Sequence, residues 1–157
     1  MGKAARLLAL FGLALVVFTA PVQAGVETNE FQDLDVIFEV PCANGGAGEF
    51  VHVTGTTHIL VSSTINGNNV SGAFHANFRG VGVGESTGDL YRLVGAEGER
   101  FKGSLRNGQF TETTFGVFNL IGQGRASNLR LHFHSHITIN ANGEVTADFN
   151  IDRIDCR

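Results

Sequence analysis

The sequence is poor in several residue types, and each shortage excludes a class of protein. It has no Trp, one Met, one Tyr and two Pro in 157 residues, and only 17% of its residues are charged. Lys and Arg total 11 against 15 Asp and Glu, and the cations are scattered along the chain. No basic stripe exists that would bind a nucleic acid. A hydrophobic content of 43% also excludes a chain that is disordered by composition.

Residues 1–24 have the organisation of a secretory signal peptide. Lys3 and Arg6 supply the positive charge, and residues 7–18 form the apolar stretch. A proline and small residues then lead to a cleavage site after Ala24. Cleavage would leave one domain, residues 25–157, with no transmembrane anchor, secreted or periplasmic. The alternative is a retained anchor, but the apolar stretch is short for a span of about 20 residues.

Cysteine is scarce, with Cys42 and Cys156 as the only two. In an exported protein such a pair is expected to form a disulfide. The bridge would tie the end of the first strand to the last residues of the sequence. The chain-entropy model credits a loop of this size with about 4–5 kcal/mol. The alternative is two free or buried thiols.

Apolar and polar residues alternate over most of the chain after residue 24, which is the pattern of antiparallel strands. Residues 34–40 illustrate it, with apolar side chains at every second position. Short Gly- and Asn-rich turns separate the runs. The pattern predicts an all-β fold: a single antiparallel meander closing as a seven- or eight-stranded β-barrel, with a β-sandwich as the alternative. The even spacing of Gly80, Gly82, Gly84 and Gly88 predicts bulges and sharp bends that curve the sheet.

Turn chemistry predicts the register of two hairpins. A turn centred on Gly67 and Asn68 would place His58 opposite Asn77. In the last hairpin, a three-residue loop with Gly143 in the left-handed conformation keeps the apolar residues on one face. That register pairs Ile139 with Val145, Ile137 with Ala147, His136 with Asp148, His134 with Asn150 and His132 with Asp152.

The row of histidines suggests a metal site. Residues at i and i+2 of a strand share a face about 6.5–7 Å apart, and imidazoles with a cross-strand carboxylate suit zinc or copper. The candidate ligands are His132, His134, His136, Asp148 and Asp152. The alternative is an exterior polar face without any cofactor, in which each His–Asp pair contributes about 0.2–1 kcal/mol. We favour this second interpretation, because no further ligand at a distinctive spacing fixes a geometry.

Phenylalanine, with 13 residues, supplies nearly all the aromatic bulk. A barrel of about eight strands either fills its interior with side chains or holds one small ligand. The leading hypothesis is therefore an exported, non-enzymatic β-barrel that binds a small apolar or amphipathic ligand in its lumen. A packed core without ligand is the alternative. The candidate lumen residues are Phe38, Phe74, Phe78, Phe115, Phe133, Phe149 and Tyr91.

Two other function classes stay open. A cyclase- or isomerase-like barrel enzyme would mainly position its substrate, and it would be indicated if His75, Asn77 and Arg79 lined a cavity with Tyr91. A structural or partner-binding exported protein would be indicated by a filled barrel with an exposed apolar patch. No serine lies in a nucleophile-elbow context, so the sequence identifies no catalytic residues.

Several stretches carry a resemblance. They are residues 40–42 (Val-Pro-Cys), 55–60 (Gly-Thr-Thr-His-Ile-Leu), 140–147 (Asn-Ala-Asn-Gly-Glu-Val-Thr-Ala) and 155–157 (Asp-Cys-Arg). They resemble a group of small exported bacterial all-β proteins of unknown function, which implies no activity and no site residues. More loosely, the Gly- and Phe-rich meander is similar to barrels of the allene oxide cyclase and dirigent type. That likeness concerns the fold and not the function.

Overall fold

The computed structural model describes residues 23–157. The predicted signal peptide lies outside the described residues except for Gln23 and Ala24, which begin the first strand. The strands form one antiparallel meander in sequence order, so the predicted all-β fold with seven strands in a single sheet is confirmed. No helix within residues 23–157 has the length and apolarity needed to cross a bilayer. The strands are β1 Gln23–Val40, β2 Glu49–Asn66, β3 Asn69–Gly84, β4 Leu90–Ser104, β5 Phe110–Gly122, β6 Leu129–Ile139 and β7 Val145–Cys156.

The sheet curls so that one face becomes an inner face. The ring of Phe38 on β1 lies 6.1 Å from the ring of Phe118 on β5, although these strands are not neighbours in the sheet. A disulfide joins Cys42, two residues beyond β1, to Cys156 at the end of β7, and the predicted pairing is confirmed. Hydrogen bonds do not close the sheet, since in the described part β1 pairs with β2 and β7 pairs with β6. Barrel closure is therefore not confirmed by the hydrogen-bond pattern.

The fully buried side chains gather where β1 and β7 end, which we call the disulfide end. Tyr91, Leu93 and Leu120 are 1–2% exposed there, and they pack with valines of β1 and β2. Full burial of a large apolar side chain contributes about 1.5–3 kcal/mol. The disulfide end is therefore the best-packed part of the sheet. Toward the other end the same face is only half-buried.

Glycines lie opposite bulky side chains across neighbouring strands. On β4, for example, a Cβ added to Gly95 would lie 2.5 Å from Cδ1 of Phe118, so the ring covers the glycine backbone. The predicted bulges at Gly80, Gly82 and Gly84 are wrong, because the register of β3 with both neighbours runs without a shift. These glycines instead make room for side chains of β2. Directly opposed pairs are Gly72–Phe101, Gly95–Phe118, Gly98–Phe115, Gly103–Phe110 and Gly116–Phe133.

The two hairpin predictions have different outcomes. His58 pairs with Asn77, as the Gly67–Asn68 turn predicted. In the last hairpin Ile139 does pair with Val145, but a bulge beside it then pairs Ile137 with Asp148 and not with Ala147. The predicted register assumed that one face of β7 is buried. In the structure β7 is exposed on both faces, so burial does not fix its register. The Asn140 side chain fixes the turn instead, because it accepts hydrogen bonds from the backbone of residues 142 and 144.

Candidate functional site

The predicted lumen residues divide between the two faces of the sheet. Strand register places Phe38, Phe74, Phe78, Phe133 and Tyr91 on the inner face. Phe115 and Phe149 lie on the outer face and are 42% and 41% exposed, so their assignment to the interior is wrong. On β5 both faces carry aromatic residues, and Phe118 is the one that enters the core. The bulge in the last hairpin moves Phe149 to the outer face.

The inner face is filled at the disulfide end. The ring centre of Phe118 lies 4.9 Å from that of Phe78 and 6.1 Å from that of Phe133, and the Phe78 and Phe118 rings pack on the buried core. Aromatic pairs at such distances add about 0.5–1.5 kcal/mol beyond the burial of their area. This half of the inner face is a packed interior.

The other half of the inner face combines aromatic rings with carboxylates. Phe74, Phe101 and Phe110 are half-buried there, and the Phe101 and Phe110 rings are 6.5 Å apart. Glu97 and Glu99 occupy the neighbouring inner positions of β4. Burial, and then the charge of Glu99, raise the pKa of Glu97 above its ordinary value. This half therefore offers apolar surface beside negative charge.

A buried carboxylate, that of Glu49, lies on the inner face at the disulfide end. Glu49 is 5% exposed, and it accepts hydrogen bonds from the Tyr91 hydroxyl at 3.0 Å and the Thr87 hydroxyl at 2.9 Å. Burial alone would raise the pKa of Glu49, but these bonds and the backbone amides of Thr87 and Ser86 outweigh it, so the pKa is lowered. Burial and the Glu49 charge raise the pKa of Tyr91 to about 12. Because the Glu49 carboxylate and the Tyr91 hydroxyl have their hydrogen-bond partners within the protein, we assign this network a structural role.

The predicted metal ligands lie on opposite faces of the sheet. The bulge pairs His136 with Phe149, while Asp148 and Asp152 fall on the inner face opposite Ile137 and Phe133. The predicted His–Asp pairs are therefore wrong. Among residues 23–157 no group of three or more His, Cys, Asp or Glu side chains is arranged to hold a metal ion.

The histidines of β6 contact aromatic and hydroxyl groups instead. The His134 and His136 rings lie 5.1 and 5.6 Å from the Phe149 ring, and His136 Nδ1 shares a hydrogen bond of 2.8 Å with the Thr113 hydroxyl. His134 itself is exposed. This part of the outer face is an aromatic surface.

The arrangement that would indicate a cyclase-like enzyme is not present. His75, Asn77 and Arg79 lie on the outer face, whereas Tyr91 points into the core. Asn77 and Arg79 border a depression of about 420 Å³ with His58 and Phe31, whose rings stack 4.5 Å apart. The sheet therefore separates these polar side chains from the Tyr91 hydroxyl, and the condition for the enzyme hypothesis is not met.

A depression that the sequence interpretation missed lies on the outer face at the disulfide end. It has a volume of about 380 Å³ and is bordered by Arg92, Arg130 and Arg157, with Val94 and Ile121 as apolar walls. We call it the arginine depression. The cations are scattered in the sequence, and only the register of β4, β5 and β6 brings them together. Alternation along each strand indicates which face these arginines occupy, but it does not show that they are neighbours.

Comparison with protein-family models, with curated proteins and with solved structures finds no match for this chain. The resemblance to small exported bacterial proteins therefore remains a prediction from the quoted stretches, and the function is argued from the geometry alone.

Proposed function

We propose that this protein is an exported, non-enzymatic binding protein, that its curled sheet acts as a β-barrel, and that its inner face takes a small apolar or amphipathic ligand. The observation that carries the proposal is the uneven filling of that face. Core side chains at the disulfide end are 1–2% exposed, whereas the aromatic residues of the other half remain half-buried. Apolar surface that the chain does not cover by itself is the usual lining of a ligand site.

The disulfide supports the barrel part of the proposal. It holds the end of β1 against the end of β7, where no backbone ladder joins them. Ser127 adds a hydrogen bond of 2.9 Å from its hydroxyl to the Cys42 carbonyl oxygen. A covalent link therefore substitutes for a hydrogen-bonded seam at this end.

The carboxylates select among amphipathic ligands. Glu97 and Glu99 lie beside Phe74 and Phe101 on the same face. A neutral or cationic group beside an apolar body suits this surface better than an anion, which the two carboxylates would repel. Ionised Glu97 is already disfavoured, because burial and Glu99 raise its pKa.

Binding of the neutral dye Nile red to the oxidised chain tests the proposal. We expect saturable binding with increased fluorescence, weakened severalfold by Phe74→Ala on the inner face. Phe115→Ala is the matched control, because Phe115 lies on the outer face and is 42% exposed. Equal binding by both variants, or no binding at all, would show that the inner face is not the site.

A partner-binding role is the second candidate, favoured by exposed apolar residues on the outer face of β5 and β7. Phe115, Phe149 and Ile151 are 42%, 41% and 59% exposed and surround His134. Contiguous apolar patches of this kind often mark interfaces. Sedimentation of wild type and Phe149→Ser over a range of concentrations would detect self-association through this patch, and identical profiles would count against it.

A further inference from the structure

We propose that the arginine depression binds a small organic anion that has a carboxylate head group on a short apolar body. The site lies on the outer face, apart from the inner face discussed above, and it does not depend on a ligand there. Its residues come from β4, β5, β6 and the segment that follows β7.

The strand register brings the guanidinium groups within reach of one head group. Arg92 pairs with Ile121 across β4 and β5, and Arg130 pairs with Asn119 across β5 and β6. Neighbouring strands are about 4.7–4.9 Å apart, so Arg92 and Arg130 start from backbones two strands apart. Extended arginine side chains can converge over such a span. Arg157 enters from the side, where its backbone exchanges two hydrogen bonds with Asn128, of 2.8 and 3.0 Å.

These guanidinium groups are not neutralised by the protein. Among residues 23–157, Arg92, Arg130 and Arg157 take part in no salt bridge, whereas Arg125 and Arg153 each contact an aspartate. Asp155 is the cross-strand neighbour of Arg130, but it accepts a hydrogen bond of 2.9 Å from Nε of Arg153 instead. In the described part of the chain, each of these three arginines therefore keeps a positive charge that no carboxylate pairs with.

Arg130 supplies the second, independent observation. Its Nε atom is shielded from solvent and has no hydrogen-bond partner in the described structure. A buried donor without an acceptor costs free energy, the more so when it is charged. A carboxylate in the depression would supply an acceptor once the Arg130 side chain turns its guanidinium toward it, and a planar guanidinium suits a carboxylate through two parallel hydrogen bonds.

The walls of the depression favour an apolar body behind the head group. Val94 and Ile121 line the depression beside the arginines, and its volume of about 380 Å³ suits a small molecule. A second depression of about 330 Å³ shares Arg92 and continues toward Val81. Asp155 also borders the arginine depression and disfavours a head group of higher negative charge than a carboxylate.

The core behind the depression holds it in place. Leu120 and Leu129 on its floor are 1% and 5% exposed, so the strands that carry the arginines belong to the best-packed part of the sheet. Sites on rigid strands bind more tightly than sites that must first be ordered.

Isothermal titration of the oxidised chain with sodium octanoate tests the inference. We expect octanoate to bind more tightly than octanol, which lacks the charge, and than inorganic phosphate, which lacks the apolar body. Raised salt should weaken the binding. Arg92→Gln and Arg130→Gln should each lower the affinity about tenfold or more, because each removes a charged donor. The matched control Arg106→Gln lies in the turn after β4, at the other end of the sheet, and should leave the affinity unchanged.

Three results would overturn the inference. The first is the absence of octanoate binding up to ~10 mM. The second is binding that Arg92→Gln and Arg106→Gln affect equally, and the third is phosphate binding as tight as octanoate binding. Arg92 is exposed, so Arg92→Gln is expected to fold even if Arg130→Gln does not. Unchanged Nile red binding by the arginine variants would confirm that they leave the inner face intact.

Discussion

Tyr91 donates a hydrogen bond of 3.0 Å to the buried carboxylate of Glu49, across the packed end of the inner face. Both residues belong to the disulfide end, and Tyr91 is 2% exposed. The bond satisfies the buried Tyr91 hydroxyl and adds to the hydrogen bonds that Glu49 accepts from Thr87. The Glu49 carboxylate is therefore a hydrogen-bonded part of the core and not an unpaired buried charge.

Removal of the Tyr91 hydroxyl should therefore destabilise the fold. Tyr91→Phe keeps the ring and deletes only the donor to a charged acceptor, which costs about 1.5–3 kcal/mol. Urea unfolding monitored by circular dichroism measures the loss. Thr87 still donates to Glu49, so the variant should fold. A change below about 0.5 kcal/mol would mean that the bond contributes nothing to stability.

Acid should remove the contribution of Glu49 to stability. Its pKa is lowered in the folded protein, so the unfolded chain binds its proton more readily. The contribution is fully present above the ordinary value of 4.5 and is lost as the pH falls through the folded value. The measurement is the unfolding free energy of wild type and Glu49→Gln at several pH values. We expect the difference between them to be constant above 4.5 and to shrink below it. A difference independent of pH would contradict the account.

The ionised carboxylate of Glu97 should destabilise the folded protein, in contrast to that of Glu49. Its pKa is raised by burial and by Glu99, so its ionised form is destabilised in the folded state. Glu97→Gln should raise the melting temperature at pH 7, and this advantage should fade as the pH falls through the raised pKa of the folded state and be gone below the ordinary value of 4.5. Glu39→Gln on β1 is the control, because that side chain is exposed. A lower melting temperature for Glu97→Gln at pH 7 would contradict the prediction.

An added methyl group at Gly95 should displace the Phe118 ring from the core. The new Cβ would lie 2.5 Å from Cδ1 of that ring, and such overpacking costs about 1–3 kcal/mol. Gly103→Ala on the same strand is the matched control, since its nearest atom would be 3.3 Å away. Chemical denaturation measures the free energy of unfolding of both variants, and we expect the larger loss for Gly95→Ala. Equal losses would show that contact with the Phe118 ring does not determine the cost.

The sequence predicted the features that depend on local pattern. Alternation gave the strands, the Gly67–Asn68 turn gave the pairing of His58 with Asn77, and the two cysteines gave the disulfide. The prediction of which phenylalanines lie on the inner face was wrong for Phe115 and Phe149, because alternation alone did not decide the face on these strands. On β5 aromatic residues occur on both faces, and on β7 an exposed strand accepted a bulge that reversed its faces.

The arginine depression could not be predicted, for a different reason. Its residues are spread from Arg92 to Arg157, and they meet only through the pairing of several strands. Alternation shows which face a residue occupies but not which residues of other strands lie beside it. A correct register for β4 to β6 would have brought the arginines together.

Reduction of the disulfide should loosen β7 before the rest of the sheet. Cys42 and Cys156 are 114 residues apart in sequence, and the chain-entropy model gives such a loop about 5 kcal/mol. Beyond this link, β7 is held by its ladder to β6 and is exposed along most of its length. We therefore expect a lower melting temperature after reduction. We also expect faster hydrogen exchange in β7 than in β3, which is paired on both sides. The Cys42→Ala, Cys156→Ala double variant should reproduce both effects without reductant. Unchanged melting after verified reduction, or equal changes in exchange in β3 and β7, would show that the link does not hold the two edge strands together.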